Sequence, residues 1–369
     1  MANQPSTQHP ARGSTARATT AARPSVRDFA GGSSFALDWD VRPVFDFMFS
    51  LSAEAGTTDD LPAPDRHWLR QAKAALPAEI RAEIKALKET EIGIQLASFA
   101  VDRPELRTVD DTLAALEVVP TSELLSAMLG DLEIGPDTES VTRAAADGDK
   151  AALATLLSGA GEHAKALTVL LTDPAETHRR ILSILRAWAI PFKTIEDRVA
   201  AIGRRDFELR AGDRATLDSL DLIERTTGGV RWLPVAGIRR VILGPSYFSR
   251  PYNFLLGGDG WRFFGYPVAD EALDSEDPMA PPPSIVRLHR ALGDPTRMRI
   301  LKLLASRDLY ATEIAQLLEL SKPTIKHHMA LLRAAGLVTT TESGAVVYYS
   351  LRRDRLDDGS SELKRFLGA

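Results

Sequence analysis

The sequence contains no cysteine. That excludes disulfides, thiolate metal sites, cysteine nucleophiles and iron–sulfur clusters together. No run approaches the ~18 uncharged apolar residues of a membrane-spanning helix, and no signal-peptide core is present. These absences favour a cytoplasmic protein with no membrane partner. No Gly-x-Ser-x-Gly elbow or His-Glu-x-x-His pair occurs, and no spacing of carboxylates singles out a catalytic pair. Gly257-Gly258-Asp259-Gly260 lacks the trailing Lys-Ser/Thr of a phosphate loop and reads as a hairpin turn. An enzyme is therefore not expected, and no cofactor is implied.

What is present is an uneven distribution of charge. The 369 residues carry a net charge of −5. From Pro283 to Ala369 there are 14 Lys and Arg against 9 Asp and Glu, a local +5. The first 33 residues hold four arginines and one acid, so residues 34–282 carry −13. A basic end on an acidic body implies two tasks on one chain.

Residues 1–33 are poor in large apolar side chains and read as a disordered tail. Residues 34–273 read as a helical body ending in a small sheet. Asp40 is placed to cap a first helix bearing Val41, Val44, Phe45, Phe47, Met48 and Leu51. Further helices are expected over 65–88 (broken near Pro77), 110–116, 122–129, 149–157, 174–189, 194–204 and 215–225. Residues 230–233, 238–243, 253–256 and 261–266 read as strands of one antiparallel sheet. Residues 274–283, acidic and then Pro-Pro-Pro, read as a linker. The expected class is mainly α with a small antiparallel sheet (α+β), followed by a C-terminal domain over 284–369.

That domain carries the specific signal. Helices are expected over 284–292, 296–305 and 312–318, then a turn and a helix over 322–335 capped by Ser321. Ile325, Met329 and Leu332 form one inward stripe, and Lys322, Lys326 and Arg333 fall away from it. Short helix, tight turn and second helix with a polar, basic start make a helix-turn-helix, whose second helix can enter a major groove. Gly336 ends it, and 337–341 with 345–351 form a hairpin wing around Glu342-Ser343-Gly344. Arg333 on the outer face of the helix, and Ser343, Arg352 and Arg353 of the wing region, are added as DNA candidates. For Arg352, Arg353 and Arg355 a run paired with Asp354, Asp357 and Asp358 is the competing reading.

Ala291-Leu292-Gly293-Asp294-Pro295-Thr296-Arg297, the run Leu320 to Met329 and the run Leu331 to Val338 resemble the ArsR-type winged-helix regulators of bacteria. The resemblance spans about a fifth of the chain. It implies that Ser321, Lys322, Thr324, Lys326 and His327 approach double-stranded operator DNA. It also implies a homodimer that represses until an effector releases it. The metal-sensing members' Cys-x-Cys is replaced here by Arg307-Asp308-Leu309-Tyr310-Ala311, so metal sensing is not implied. The composition of 1–33 also matches an organellar transit peptide, but a bacterial family favours a plain tail.

Two uses remain open for the body: sensing a small non-metal ligand, or docking a protein or oligomer partner. Nine aromatic residues between Trp232 and Tyr266 are expected to be mostly core. Trp232, Ser246, Tyr247, Arg250, Tyr252 and Asn253 are the candidates for an effector pocket. Ile285, Leu288, Leu292, Leu363 and Phe366 are the candidates for a dimer interface. His327 is expected to face DNA, and His328 to be a half-buried packing residue.

Overall fold

The computed structural model describes residues 35–89, 93–130, 137–273, 281–343 and 346–368. The expected tail and most of the expected linker lie outside these residues. The body opens with β1 (Ala36–Trp39) and α1 (Val44–Phe49), followed by α2 (Ala63–Ala75), α3 (Ala78–Glu89), α4 (Ser98–Val101), α5 (Val109–Val118) and α6 (Thr121–Leu129). It continues through α7 (Thr138–Ala146), α8 (Lys150–Gly159), α9 (Ala164–Leu171), α10 (Pro174–Phe192), α11 (Glu196–Leu209), α12 (Ala211–Thr216) and α13 (Ser219–Thr226).

Local sequence explains where these helices start. Thr108 accepts from Asp111 N at 3.1 Å while Asp111 accepts from Thr108 N at 2.9 Å, a reciprocal cap on α5. Asp149, Asp173 and Asp218 cap α8, α10 and α13 through side-chain oxygens. In α10 the residues Ile181, Ile184, Leu185, Trp188 and Phe192 are buried, which is the inward stripe of a 3.6-residue period. Trp188 donates to Ser50 Oγ at 2.8 Å, and the Phe192 ring meets Phe47 at 5.3 Å, so α10 seats α1. Pro191 falls in the final turn, and the helix runs three residues beyond the expected end. Asp40 does not cap α1. It pairs with Arg42, whose Nε donates to Asp40 Oδ1 at 2.7 Å, and residues 36–39 form a strand instead.

The body sheet is mixed, not antiparallel. Its order is β1-β3-β5-β4, with β3 (Arg240–Ser246) parallel to both β1 and β5 (Trp261–Pro267), and β4 (Phe254–Gly258) antiparallel to β5. The strand at 230–232, β2 (Val230–Trp232), is not part of it. It pairs in parallel with β7 (Val338–Ser343) of the C-terminal domain, with Val230 opposite Thr340 and Trp232 opposite Glu342. The second sheet therefore has the order β2-β7-β8-β6, with β6 (Leu309–Tyr310) and β8 (Val346–Leu351) antiparallel partners. The body thus supplies one strand of the wing sheet, a connection across the expected domain boundary.

The C-terminal helices are α14 (Pro283–Leu292), α15 (Pro295–Leu304), α16 (Ala311–Leu318), α17 (Lys322–Ala334) and α18 (Asp354–Phe366). Their core holds Ile300, Leu304, Ile314, Leu318, Ile325, Met329 and Leu332. Each such side chain contributes roughly 1.5–3 kcal/mol when fully buried. Three of these seven come from α17, so its inner face is fixed and its outer face is presented. No single helix among the described residues is long and apolar enough to cross a membrane.

Candidate nucleic-acid interface

The turn before α17 is closed at both ends. Glu319 adopts a left-handed conformation (φ 57°) as the C-cap of α16. Ser321 then caps α17, its Oγ accepting from Thr324 N at 3.2 Å and meeting Thr324 Oγ1 at 2.7 Å. Pro323 sits in the first turn, where a missing N–H costs nothing. This geometry leaves Ser321, Lys322, Lys326 and His327 exposed and Thr324 half-buried, on one end of a helix whose opposite face is core. Five polar or cationic side chains and the free N–H groups of the first turn make a surface suited to phosphate and base edges.

Two of these groups also meet the body. His327 Nδ1 lies 2.8 Å from Tyr252 Oη. Lys326, His327 and Pro323 line a cavity of about 610 Å³ whose other wall includes Leu96, Ile184 and Phe254. His328 is half-buried, and burial pushes its pKa down against the opposing pull of Asp294.

Arg333 departs from the expected outward set. Only 7% of it is exposed. Its Nη1 donates to Thr227 O at 2.6 Å and its Nη2 to Pro251 O at 2.7 Å. The reason is that α13 and the chain after β3 cover this part of α17, so a residue outside the core stripe is still enclosed. Burial pushes its pKa down to about 10. It is fully charged at neutral pH and points into the body, not towards a duplex.

The wing region divides similarly. The side chain of Ser343 lies outside the described residues. Arg352 is half-buried and engaged. Arg353 is exposed, with one Nη donating to Ala305 O at 2.6 Å. Arg355 makes two bonds to Glu362, at 2.6 and 3.0 Å, which hold that carboxyl below its usual pKa. The charge run is thus partly self-paired, with Glu362 as the partner of Arg355.

The six pocket candidates separate into four environments. Trp232 is core, packed with Val241, Phe264 and Tyr266. Ser246 and Tyr247 surround buried Asp46, which accepts from Ser246 Oγ at 2.6 Å, Tyr247 N at 3.0 Å and Phe248 N at 2.8 Å. Burial pushes the Asp46 pKa up to about 6 despite these donors. Tyr247 Oη also bonds Asp65, which Arg198 grips with two bonds at 2.5 and 2.9 Å. Arg250 donates to Asp60 O at 2.9 Å and Val268 O at 2.5 Å, and pairs with Asp270. Only Tyr252 and Asn253 line the cavity beside α17. Trp232 is enclosed in the core, while Ser246, Tyr247 and Arg250 spend polar groups on partners within the chain, Arg250 at the wall of a second, smaller cavity.

The dimer candidates divide as well. Ile285 and Leu288 are buried within their own chain and are not available to a second copy. A Cβ on Gly359 of α18 would come within 1.9 Å of Leu288, which shows how closely α18 covers α14. Leu292 and Leu363 are half-buried, while Phe366, Leu356 and Leu367 are exposed. Among the described residues no group of three or more His, Asp or Glu is placed to hold a metal ion.

Sequence reasoning did not anticipate the backbone carbonyls of Thr227 and Pro251, or the carboxylate of Asp270. A carbonyl acceptor has no signature in residue identity, and nothing local to Asp270 sets it apart from the other acids of the body. In the structure Asp270 receives Arg250 from the body and Arg287 from α14.

Residues 294–340 match the family described as "Bacterial regulatory protein, arsR family". The transcriptional repressor SdpR of Bacillus subtilis is 37% identical over 78 residues, which cover 21% of this chain and 87% of that protein. The HTH-type transcriptional regulator CmtR of Mycobacterium tuberculosis is 39% identical over 80 residues, 22% of this chain and 68% of the relative. An arsenical resistance operon repressor of Staphylococcus xylosus is 38% identical over 68 residues, 18% and 65% respectively. These likenesses reach only about a fifth of the chain, the part that folds as the winged helix. On this ground the chain belongs to the ArsR family of bacterial regulatory proteins.

Proposed function

We propose that this protein is a one-component transcriptional repressor: α17 enters the major groove of operator DNA, and the body senses a non-metal ligand. The observation that supports the reading is the gathering of Ser321, Lys322, Thr324, Lys326 and His327 at the N-terminal end of a helix anchored by Ile325, Met329 and Leu332, with His327 also touching Tyr252 of the body. The protein works as a homodimer. Leu356 and Phe366 on α18 and Leu367 just after it are exposed and supply the apolar contact between copies. Arg353 flanks DNA phosphates, and Arg333 serves the body contact instead. The repressors SdpR and arsenical resistance operon repressor among its relatives support the sign of regulation.

A ligand-sensing body is favoured over a pure docking module because contacts between body and α17 enclose space. The 610 Å³ cavity beside Lys326 and His327 is of the size that small ligands occupy. A ligand in such a position alters the presentation of α17 only if it binds the docked and released states unequally.

The test is salt-dependent binding of the full-length protein to the DNA upstream of its own gene, compared with a scrambled duplex. Specific binding that weakens steeply with salt supports the reading. Equal, weak binding to both duplexes overturns it.

A further inference from the structure

A second cavity, of about 310 Å³, lies where α13, the end of β5, α14 and α17 converge. Five arginines line it: Arg210, Arg225, Arg250, Arg287 and Arg333. Four have carboxylate partners. Arg210 pairs with Asp206, Arg225 with Asp213, Arg250 with Asp270, and Arg287 with Asp270 and Asp60. Glu271 stands at the exposed edge of the cavity and acts on Arg287.

Arg333 is the exception. It is the most deeply enclosed α17 cation, and its hydrogen-bond partners are two neutral carbonyls. A buried charge without a countercharge is costly, and a guanidinium offers five N–H donors of which carbonyls here take two. Thr226, only 3% exposed and next in sequence to the Thr227 whose carbonyl Arg333 bonds, lines the same cavity, and its hydroxyl has no hydrogen-bond partner. Buried hydroxyls rarely go unpaired, so this one has a hydrogen bond to give to whatever fills the cavity, where Asp60 Oδ1 on the side of Arg287 is likewise without a hydrogen-bond partner. Pro251, Pro267, Val268 and Ala334 supply apolar wall between these polar groups.

We propose that this cavity binds a small organic monocarboxylate, whose carboxylate pairs with Arg333 and accepts from Thr226 Oγ1 while its short apolar body lies against the proline and valine wall. Arg333 alone of the five arginines has no carboxylate within ion-pair distance, and one such cation suits a monoanion. The guanidinium fork matches a carboxylate. The site spans the contact between body and α17, so its ligand stabilises the docked arrangement. The proposal rests on the reading of the body as the sensing part and assigns it a ligand here, in a cavity separate from the one beside Lys326 and His327.

The test uses the full-length protein with benzoate and butyrate as probes, by calorimetry and thermal unfolding at constant ionic strength. Benzamide, of the same shape as benzoate but neutral, is the control. At least one carboxylate is expected to bind saturably and raise Tm, and benzamide to do neither. Thr226→Val removes only a hydroxyl that has no partner, so the fold should persist while carboxylate affinity falls about tenfold. Arg333→Met should abolish binding. Absence of binding by both carboxylates overturns the proposal. So does an equal response to benzamide, or unchanged affinity in Thr226→Val. These measurements contain no DNA. Failure of operator binding would therefore sink the regulator reading separately, with the carboxylate site still open to confirmation or loss.

Discussion

Arg333 and Thr227 stand 106 positions apart in sequence, yet the guanidinium of one donates to the carbonyl of the other at 2.6 Å. This bond fastens the C-terminal half of α17 to the end of α13. Thr227 O also accepts from Asn253 Nδ2 at 3.1 Å, so the carbonyl is a junction for three parts of the chain. Arg333→Ala removes two charge-assisted bonds and should cost about 2 kcal/mol, offset in part by loss of a buried charge. Arg333→Met, which refills the space, should cost less. Urea unfolding of both variants checks the order. Equal destabilisation would mean that filling of the space contributes nothing.

The exposed end of α17 should respond quite differently. Lys322→Ala is expected to weaken binding to every duplex and to lower the slope of log affinity against log salt by about 1. Thr324→Ala should instead relax preference at one base position by about 1–3 kcal/mol. Arg333→Ala should leave the salt slope unchanged, because its charge does not reach the phosphates. Titrations at several salt concentrations on matched and mutated duplexes separate the three. A reduced slope in Arg333→Ala would contradict its assignment to the body.

The inner stripe of α17 sets the cost of losing the helix. Ile325 is fully buried and Met329 is 1% exposed. Truncating either to Ala should cost about 2–5 kcal/mol, the transfer term plus the cavity left behind. Chemical denaturation measures it, and a loss below 1 kcal/mol would place α17 outside the core.

The ion cluster at Asp270 predicts a pH dependence. Burial alone raises this carboxyl, but Arg287 and Arg250 outweigh burial and hold it below the usual value of 3.8. A depressed native pKa gives stability that is present above about pH 4 and is lost as pH falls through the native value. Asp46, raised to about 6 by burial, acts with the opposite sign. Its contribution falls as pH rises from about 4 to about 6. Asp270→Asn should therefore flatten the acid limb of a plot of urea midpoint against pH while leaving the Asp46 region alone. An acid limb identical to wild type would deny the cluster its role in joining body to α14.

Gly359 offers a steric test of the last helix. Alanine is the better helix former by ~1 kcal/mol, so Gly359→Ala would stabilise a free α18. Its Cβ would stand 1.9 Å from Leu288 Cδ2, and something must shift. Gly359→Ala should lower Tm, and pairing it with Leu288→Ala should recover part of the loss. A raised Tm in the single variant would show that α18 does not lie against α14 in solution.

Periodicity and caps made most helices legible in the sequence, since an inward stripe such as Ile181, Ile184, Leu185 and Trp188 is a local property. The helix-turn-helix was legible for the same reason, with Ser321, Pro323 and the Ile325 stripe each in a position that local chemistry dictates. What escaped was long-range. Strands β1 and β3 are parallel partners about 200 residues apart, and nothing in Ala36–Trp39 names its neighbour. The expectation of an antiparallel sheet assumed that successive strands pair, and β2 leaves that succession for β7. Arg333 misled for a related reason. Its place on the helix wheel describes α17 alone, whereas its burial is set by what α13 lays over it.

The strand β2 has a consequence for how portable the winged helix is. It occupies the outer side of β7, and Thr340 N donates to Gly229 O at 2.7 Å at its start. A fragment cut at the linker would carry β7 as a bare margin, with N–H and C=O groups seeking a new neighbour. Such fragments should stick to one another along that margin and mimic a dimer, whereas in the intact chain β2 already covers it. The regulator is thus not a reading head bolted to an interchangeable body, and a chimera built by exchanging bodies would need to bring its own strand.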